Sequence, residues 1–176
     1  PSIPKLINYR EEFDSAILEI QKVQGITINQ IINSHFELSN RDLKKLAIQL
    51  YDSLNYIHSL EVQHRDITPD NVIWCNTSKR LFIIDFGWAV SKKYNEIFTP
   101  EGLGTNKGFY GFIDEKQMKS DNYAAATILA ILNKDNPSKN TISQIISKLI
   151  IDEINNNSYN LELFLLSIQN LQLGSH

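Results

Sequence analysis

The stretch HRDITPDNVIW, residues 64–74, followed closely by IIDFGW, residues 83–88, decides how the rest of the chain is read. Val72-Ile73-Trp74-Cys75 and Leu81-Phe82-Ile83-Ile84 are runs of β-branched and aromatic residues, which suit a pleated, half-buried surface. Asn76-Thr77-Ser78-Lys79 between them is turn chemistry, so the pattern predicts a β-hairpin. Asn71 stands just before the first strand and Asp85 just after the second. The open ends of an antiparallel hairpin are neighbours in space. The hairpin therefore brings Asp66, Asn71 and Asp85 to one rim.

Upstream, residues 39–59 predict a long helix. Ser39 followed by Asp42 is a capping-box-like start. Leu43, Leu46, Ala47, Leu50, Leu54 and Ile57 recur at three- and four-residue steps, which makes one buried stripe. Nearer the start, Leu6–Tyr9 and Ser15–Ile20 read as two strands joined by a polar turn at Arg10-Glu11-Glu12. Gly25 breaks the pattern, and residues 27–34 predict a short helix capped by Thr27, with Ile28, Ile31 and Ile32 on one face. Downstream, residues 88–111 predict a long glycine-containing loop, and 121–132 a buried helix. Two amphipathic helices are expected at 141–154 and 160–172, separated by Asn155-Asn156-Asn157.

The bulk numbers set bounds. A chain of 176 residues suits one domain or two small lobes sharing a core. It is 42% hydrophobic and 21% charged with net charge -3, which points away from nucleic acid and anionic membranes as partners. No apolar run reaches the roughly 18 residues of a membrane span. Cys75 is the single cysteine, so no internal disulfide can form and a cytoplasmic, reducing compartment is expected. The chain starts with Pro1 rather than Met, as a piece cut from a longer protein would. The closing residues 174–176 read as an expression scar.

His64-Arg65-Asp66 with Asn71 five positions beyond Asp66, then Asp85-Phe86-Gly87, resembles the catalytic loop and metal-binding motif of the protein kinase superfamily. The order, the spacing, the strand–turn–strand between the motifs and the capped helix before them all agree with that resemblance. Ile17-Leu18-Glu19-Ile20-Gln21 looks like the strand and hinge that hold adenine, and Ser120-Asp121-Asn122-Tyr123 like the start of the central helix beneath the catalytic loop. The resemblance implies an α+β, mostly α, fold. It consists of a protein-kinase-like C-lobe, helical with a small catalytic hairpin, plus remnant N-lobe strands and hinge. Residues 1–20 would be the remnant strands and hinge start, and 21–173 the C-lobe.

The resemblance also implies ATP and Mg²⁺ as cofactors and a phosphotransfer reaction to a hydroxyl. Such a reaction neutralises phosphate charge and orients the nucleophile. Asp66 would be the catalytic base, and Asn71 and Asp85 the metal ligands. Magnesium takes hard oxygens and only one or two carboxylates, and an amide oxygen adds no repulsion. Glu19, Gln21 and Ile73 would face the nucleotide, while His64, Arg65, Phe86, Gly87 and Asp121 would support the site. Arg65 either tethers a loop or binds a phosphorylated residue, with Ser91, Tyr94, Thr99 and Thr105 as candidates.

The chain departs from the family pattern in three places. Thr68 stands where Ser/Thr kinases usually carry a lysine. No glycine-rich loop or ATP-gripping lysine precedes the hinge-like segment, so a missing N-lobe segment or partner chain would have to supply them. No Ala-Pro-Glu follows Gly104-Thr105; Pro100-Glu101 comes before it, in the wrong order. The expected acceptor is a saccharide or small molecule ahead of a protein serine or threonine, because the helical tail is short. The rival reading is a pseudokinase or regulatory scaffold.

Overall fold

The computed structural model describes residues 2–34, 36–91, 112–114, 117–118 and 121–132. The two expected tail helices, most of the 88–111 loop and the candidate residues Tyr94, Thr99 and Thr105 lie outside these.

Strands β1 (Leu6–Glu12) and β2 (Ser15–Ile20) form an antiparallel ribbon. The turn falls at Phe13-Asp14, not at Arg10-Glu11-Glu12 as expected; Glu12 pairs with Ser15 and Arg10 with Ile17. The physical reason is exposure. Nearly every ribbon residue faces water, so neither face rejects charge, and Arg10 and Glu12 pair along one side at 3.2 Å. At its open end the Gln21 N–H donates to Lys5 O at 2.8 Å.

Three strands make the sheet under the site: β3 (Ile26–Thr27), then β5 (Val72–Cys75), then β6 (Arg80–Ile83), in that order and antiparallel. The short β4 (Val62–Gln63) pairs with β7 (Val90–Ser91), and β8 (Phe112–Asp114) with β9 (Gln117–Met118). The β5–β6 hairpin matches the expected one within a residue, turning at 76–79. Strand β3 was not expected, because two residues carry no periodicity. Its place depends on Gly25, which sits at φ +149°; a Cβ there would meet Trp74 O at 2.5 Å. A residue with a side chain could not bring β3 this close to β5.

Helix α1 (Ile28–Ile32) is a single turn begun by a full capping box: Thr27 Oγ1 accepts from Gln30 N–H, and Gln30 Oε1 from Thr27 N–H. Ile28 and Ile31 are buried, but Ile32 is 37% exposed, because so short a helix turns only a narrow edge inward. Helix α2 (Asn40–Ser59) has the expected Ser39 cap. Its stripe of Leu43, Leu46, Ala47, Leu50, Leu54 and Ile57 is buried as expected. Each large apolar side chain there contributes about 1.5–3 kcal/mol. The Asp42 carboxylate takes Lys79 Nζ of the hairpin turn at 2.9 Å. Helix α3 (Asp121–Leu132) lays Ala124, Ala125, Ile128 and Leu129 into the same core, its alanines permitting close approach to α2.

Candidate active site

Asp66 and Asn71 follow β4 on a loop that runs into β5, and Asp85 follows β6. The hairpin joins them: the Ile84 N–H donates to Asn71 O at 2.9 Å. Asn71 Nδ2 donates to Asp66 O at 2.9 Å and to Asp66 Oδ2 at 2.7 Å. That use of the amide nitrogen leaves the Asn71 amide oxygen for a cation. Asp85 sits at φ 62°, and its Oδ1 accepts the Gly87 N–H at 3.1 Å. Burial pushes the Asp66 carboxyl above its ordinary pKa, and the nearby Asp85 charge pushes the same way, against the Asn71 bond and His64. Hydrogen bonds through Asn71 thus bring the Asp66 loop and the Asp85 end of β6 to one rim. An amide oxygen and a carboxylate are hard donors of the kind Mg²⁺ prefers, so Asn71 and Asp85 fit that ion.

Beneath the rim lies His64, wholly buried. A backbone N–H can only donate, so Nδ1 accepts the Asp66 N–H at 3.2 Å. Nε2 then carries the hydrogen and donates to Ile84 O at 3.0 Å. Burial holds His64 below its usual pKa, despite the opposing pull of Asp121. Phe86 packs on the imidazole with ring centroids 4.6 Å apart.

Asp121, the first residue of α3, supports the loop from below and is 4% exposed. Its Oδ2 accepts the His64 N–H at 2.8 Å, and its Oδ1 the Arg65 N–H at 2.9 Å. His58 Nε2 approaches Oδ2 at 2.9 Å. Burial alone would raise the Asp121 pKa, but the hydrogen bonds from His58, His64 and Arg65 win and hold it below the usual carboxylate range. Arg65 is held at φ 65°.

The remaining expected residues lie apart from this cluster. Ile73 is half-buried in β5, opposite Thr27 and Phe82. Glu19 lies in the ribbon opposite Asn8, and Gln21 exchanges hydrogen bonds with Lys5. Thr68 is buried at 7% exposure. Sequence reasoning missed His58 and Gln49. The available signal for His58 was a basic residue in the last turn of α2. For Gln49 it was a polar residue set within the apolar stripe.

The family model for the protein kinase domain matches residues 1–164. The chain belongs to the protein kinase family. It is 29% identical over 150 residues to serine/threonine-protein kinase B of Synechocystis, covering 78% of this chain and 26% of that protein. It is 30% identical over 145 residues to serine/threonine-protein kinase D of the same organism, covering 77% of this chain and 28% of that one. It thus spans about a quarter of the length of these relatives. Among solved structures it resembles the Cydia pomonella granulovirus kinase PK-1, with TM-score 0.73 and 16% identity, over 94% of this chain and 73% of the other. That likeness establishes the kinase-like fold. Among the described residues no helix is long and apolar enough to cross a membrane.

Proposed function

We propose that this chain carries the catalytic-loop half of an ATP-dependent protein kinase, with a serine or threonine hydroxyl as acceptor. Residues 21–173 would be the C-lobe, and 1–20 N-lobe strands and the start of the hinge. The observation that carries the reading is the Asn71 Nδ2 to Asp66 Oδ2 bond at 2.7 Å, with Asp85 acting on the same carboxylate. Asp66 would orient the hydroxyl and take its proton as the bond to phosphorus forms. Its raised pKa suits a group that must hold a proton briefly. Asn71 and Asp85 would hold Mg²⁺, which when bound neutralises phosphate charge. Ile73, with Glu19 and Gln21 from the ribbon, would meet the nucleotide.

The acceptor assignment moves away from the saccharide expectation because both Synechocystis relatives carry serine/threonine-protein kinase names. Asp66→Ala in the protein tests the role. Phosphate transfer to a protein acceptor should fall by at least about a hundredfold, the scale of a lost general base. Transfer surviving within about tenfold would remove Asp66 from the role. Wild-type protein showing no stabilisation at millimolar-scale Mg²⁺ and ATP would favour the scaffold reading.

A further inference from the structure

Strand β6 has a neighbour on one side only, since the sheet order is β3-β5-β6. Its other edge should show unpaired backbone groups. Instead that edge is filled by side chains and by the backbone of Ser2. Gln49 of α2 offers its amide as a strand would: Oε1 accepts the Leu81 N–H at 3.0 Å, and Nε2 donates to Lys79 O at 3.0 Å. One step along, the Ile83 N–H donates to Ser2 O at 2.8 Å. Ser53 ties the two together. Its Oγ donates to Gln49 O at 2.6 Å and accepts the Ser2 N–H at 3.3 Å. The next residue, Ile84, is fixed on the inner side by Asn71 and His64, and Asp85 follows.

We infer that Gln49 and Ser53 are positioning residues: with Ser2 they act as a surrogate edge strand that sets where β6 ends, and so where Asp85 points. The inference rests on the assignment of Asp85 as a metal ligand, but its geometric part does not. Both outward N–H groups of β6 are held by this device. The β5 side fixes the strand's register, and the edge device fixes its tilt against α2. Ser2 also leads through Lys5 into the β1–β2 ribbon. The same contacts therefore link the ribbon to the Asp85 end of the rim.

The test uses the full chain and three variants. Gln49→Met keeps the length and removes both amide bonds. Ser53→Ala frees Ser2 and serves if the first variant does not fold. Lys79→Met is the stability control, because it breaks the ion pair with Asp42 and leaves the edge bonds untouched. The first readout needs no ligand: the amide resonances of Ile84 and Gly87, whose N–H groups report Asn71 and the Asp85 carboxylate. Both should shift in Gln49→Met and in Ser53→Ala, and stay in place in Lys79→Met. The second readout is the Mg²⁺ concentration giving half-maximal stabilisation by ATP. It should rise about tenfold in the first two variants only, the scale for losing an outer partner of a metal ligand. Unmoved Ile84 and Gly87 signals in the edge variants overturn the inference, as does a Mg²⁺ requirement no different from that of Lys79→Met. If wild-type chain takes up no Mg²⁺ with ATP, the phosphotransfer reading fails, and the ligand-free resonances still decide the positioning role.

Discussion

Replacing the buried Asp121 by asparagine should destabilise this fold strongly. The carboxylate receives three hydrogen bonds, from His64 N at 2.8 Å, Arg65 N at 2.9 Å and His58 Nε2 at 2.9 Å. An asparagine has one oxygen to offer, so Asp121→Asn turns an NH₂ toward a donor that expects an acceptor. His58 can adapt by changing tautomer, but a backbone N–H cannot. One charge-assisted bond is lost and one buried N–H is orphaned, together about 3–5 kcal/mol. For a chain of this length that is roughly 10 °C in Tm. Urea unfolding followed by circular dichroism should show the midpoint falling with the slope unchanged. His58→Ala removes one bond from the more exposed side, where the imidazole is 29% accessible, and should cost about 1 kcal/mol.

The pH dependence of the same variant follows from its sign. Asp121 has a folded pKa below that of an ordinary aspartate. Its contribution is therefore complete above the unfolded value and is lost as pH falls through the folded one. The variant should lose stability at neutral pH and show a flatter decline in acid. A loss under about 1 kcal/mol at neutral pH would refute the claim that Asp121 carries the loop through charge-assisted bonds.

Three further outcomes are expected. Gly25→Ala should cost several kcal/mol, about 2–4, because its Cβ would stand 2.5 Å from Trp74 O and 2.7 Å from Ile73 Cγ2 at a left-handed φ; retention of wild-type Tm would show that β3 can move aside. Leu50→Ala, at a wholly buried position of α2, should cost about 2–5 kcal/mol in urea unfolding, and a loss under about 1 kcal/mol would mean the core collapses to fill the space. His64, lowered from 6.5 by burial, lets the unfolded chain bind a proton that the folded one refuses; stability should be full above that value and decline as pH falls below it. His64→Gln should remove that part of the decline, and an identical pH profile in variant and wild type would exclude His64 as its source.

The hairpin and α2 were legible in the sequence because each imposes a period over many residues. The turn at Asn76–Lys79 and the six-residue apolar stripe leave little freedom in register. The chain pairing around them was not legible. A two-residue strand such as β3 leaves no pattern, and its signal is only Gly25, whose need appears once Trp74 stands 2.5 Å from its would-be Cβ. The ribbon turns at Phe13-Asp14 rather than at its charged residues 10–12. Charge is informative only where one face is buried, and this ribbon buries neither. Asp66, Asn71 and Asp85 could be named from spacing, whereas Gln49 and His58 act through partners far along the chain, Leu81 and Asp121.

Backbone strain gathers where the chemistry is expected. Four described residues other than glycine have positive φ; Glu61 and Lys79 lie in turns, but Arg65 adjoins the candidate site and Asp85 is part of it. Holding an L-residue there costs about 1–2 kcal/mol each, somewhat less for Asp. Each is held on both sides: Arg65 by its N–H on Asp121 and by the next N–H on His64 Nδ1, and Asp85 by Ile84 O on His64 Nε2 and by the Gly87 N–H on its own carboxylate. One imidazole therefore joins the two distorted residues, accepting at one nitrogen and donating at the other. Protonation would make Nδ1 a donor facing the Asp66 N–H, so the joint exists only while His64 is neutral. The neutral imidazole thus bridges the Asp66 and Asp85 segments through its two hydrogen bonds. Glutamine also offers one acceptor and one donor, but both from the same end, so it cannot span Asp66 N and Ile84 O at once. In His64→Gln the Gly87 amide resonance should move even at neutral pH, where the wild-type imidazole is uncharged, and a Gly87 signal that stays in place would show that the two motifs are held in register by something else.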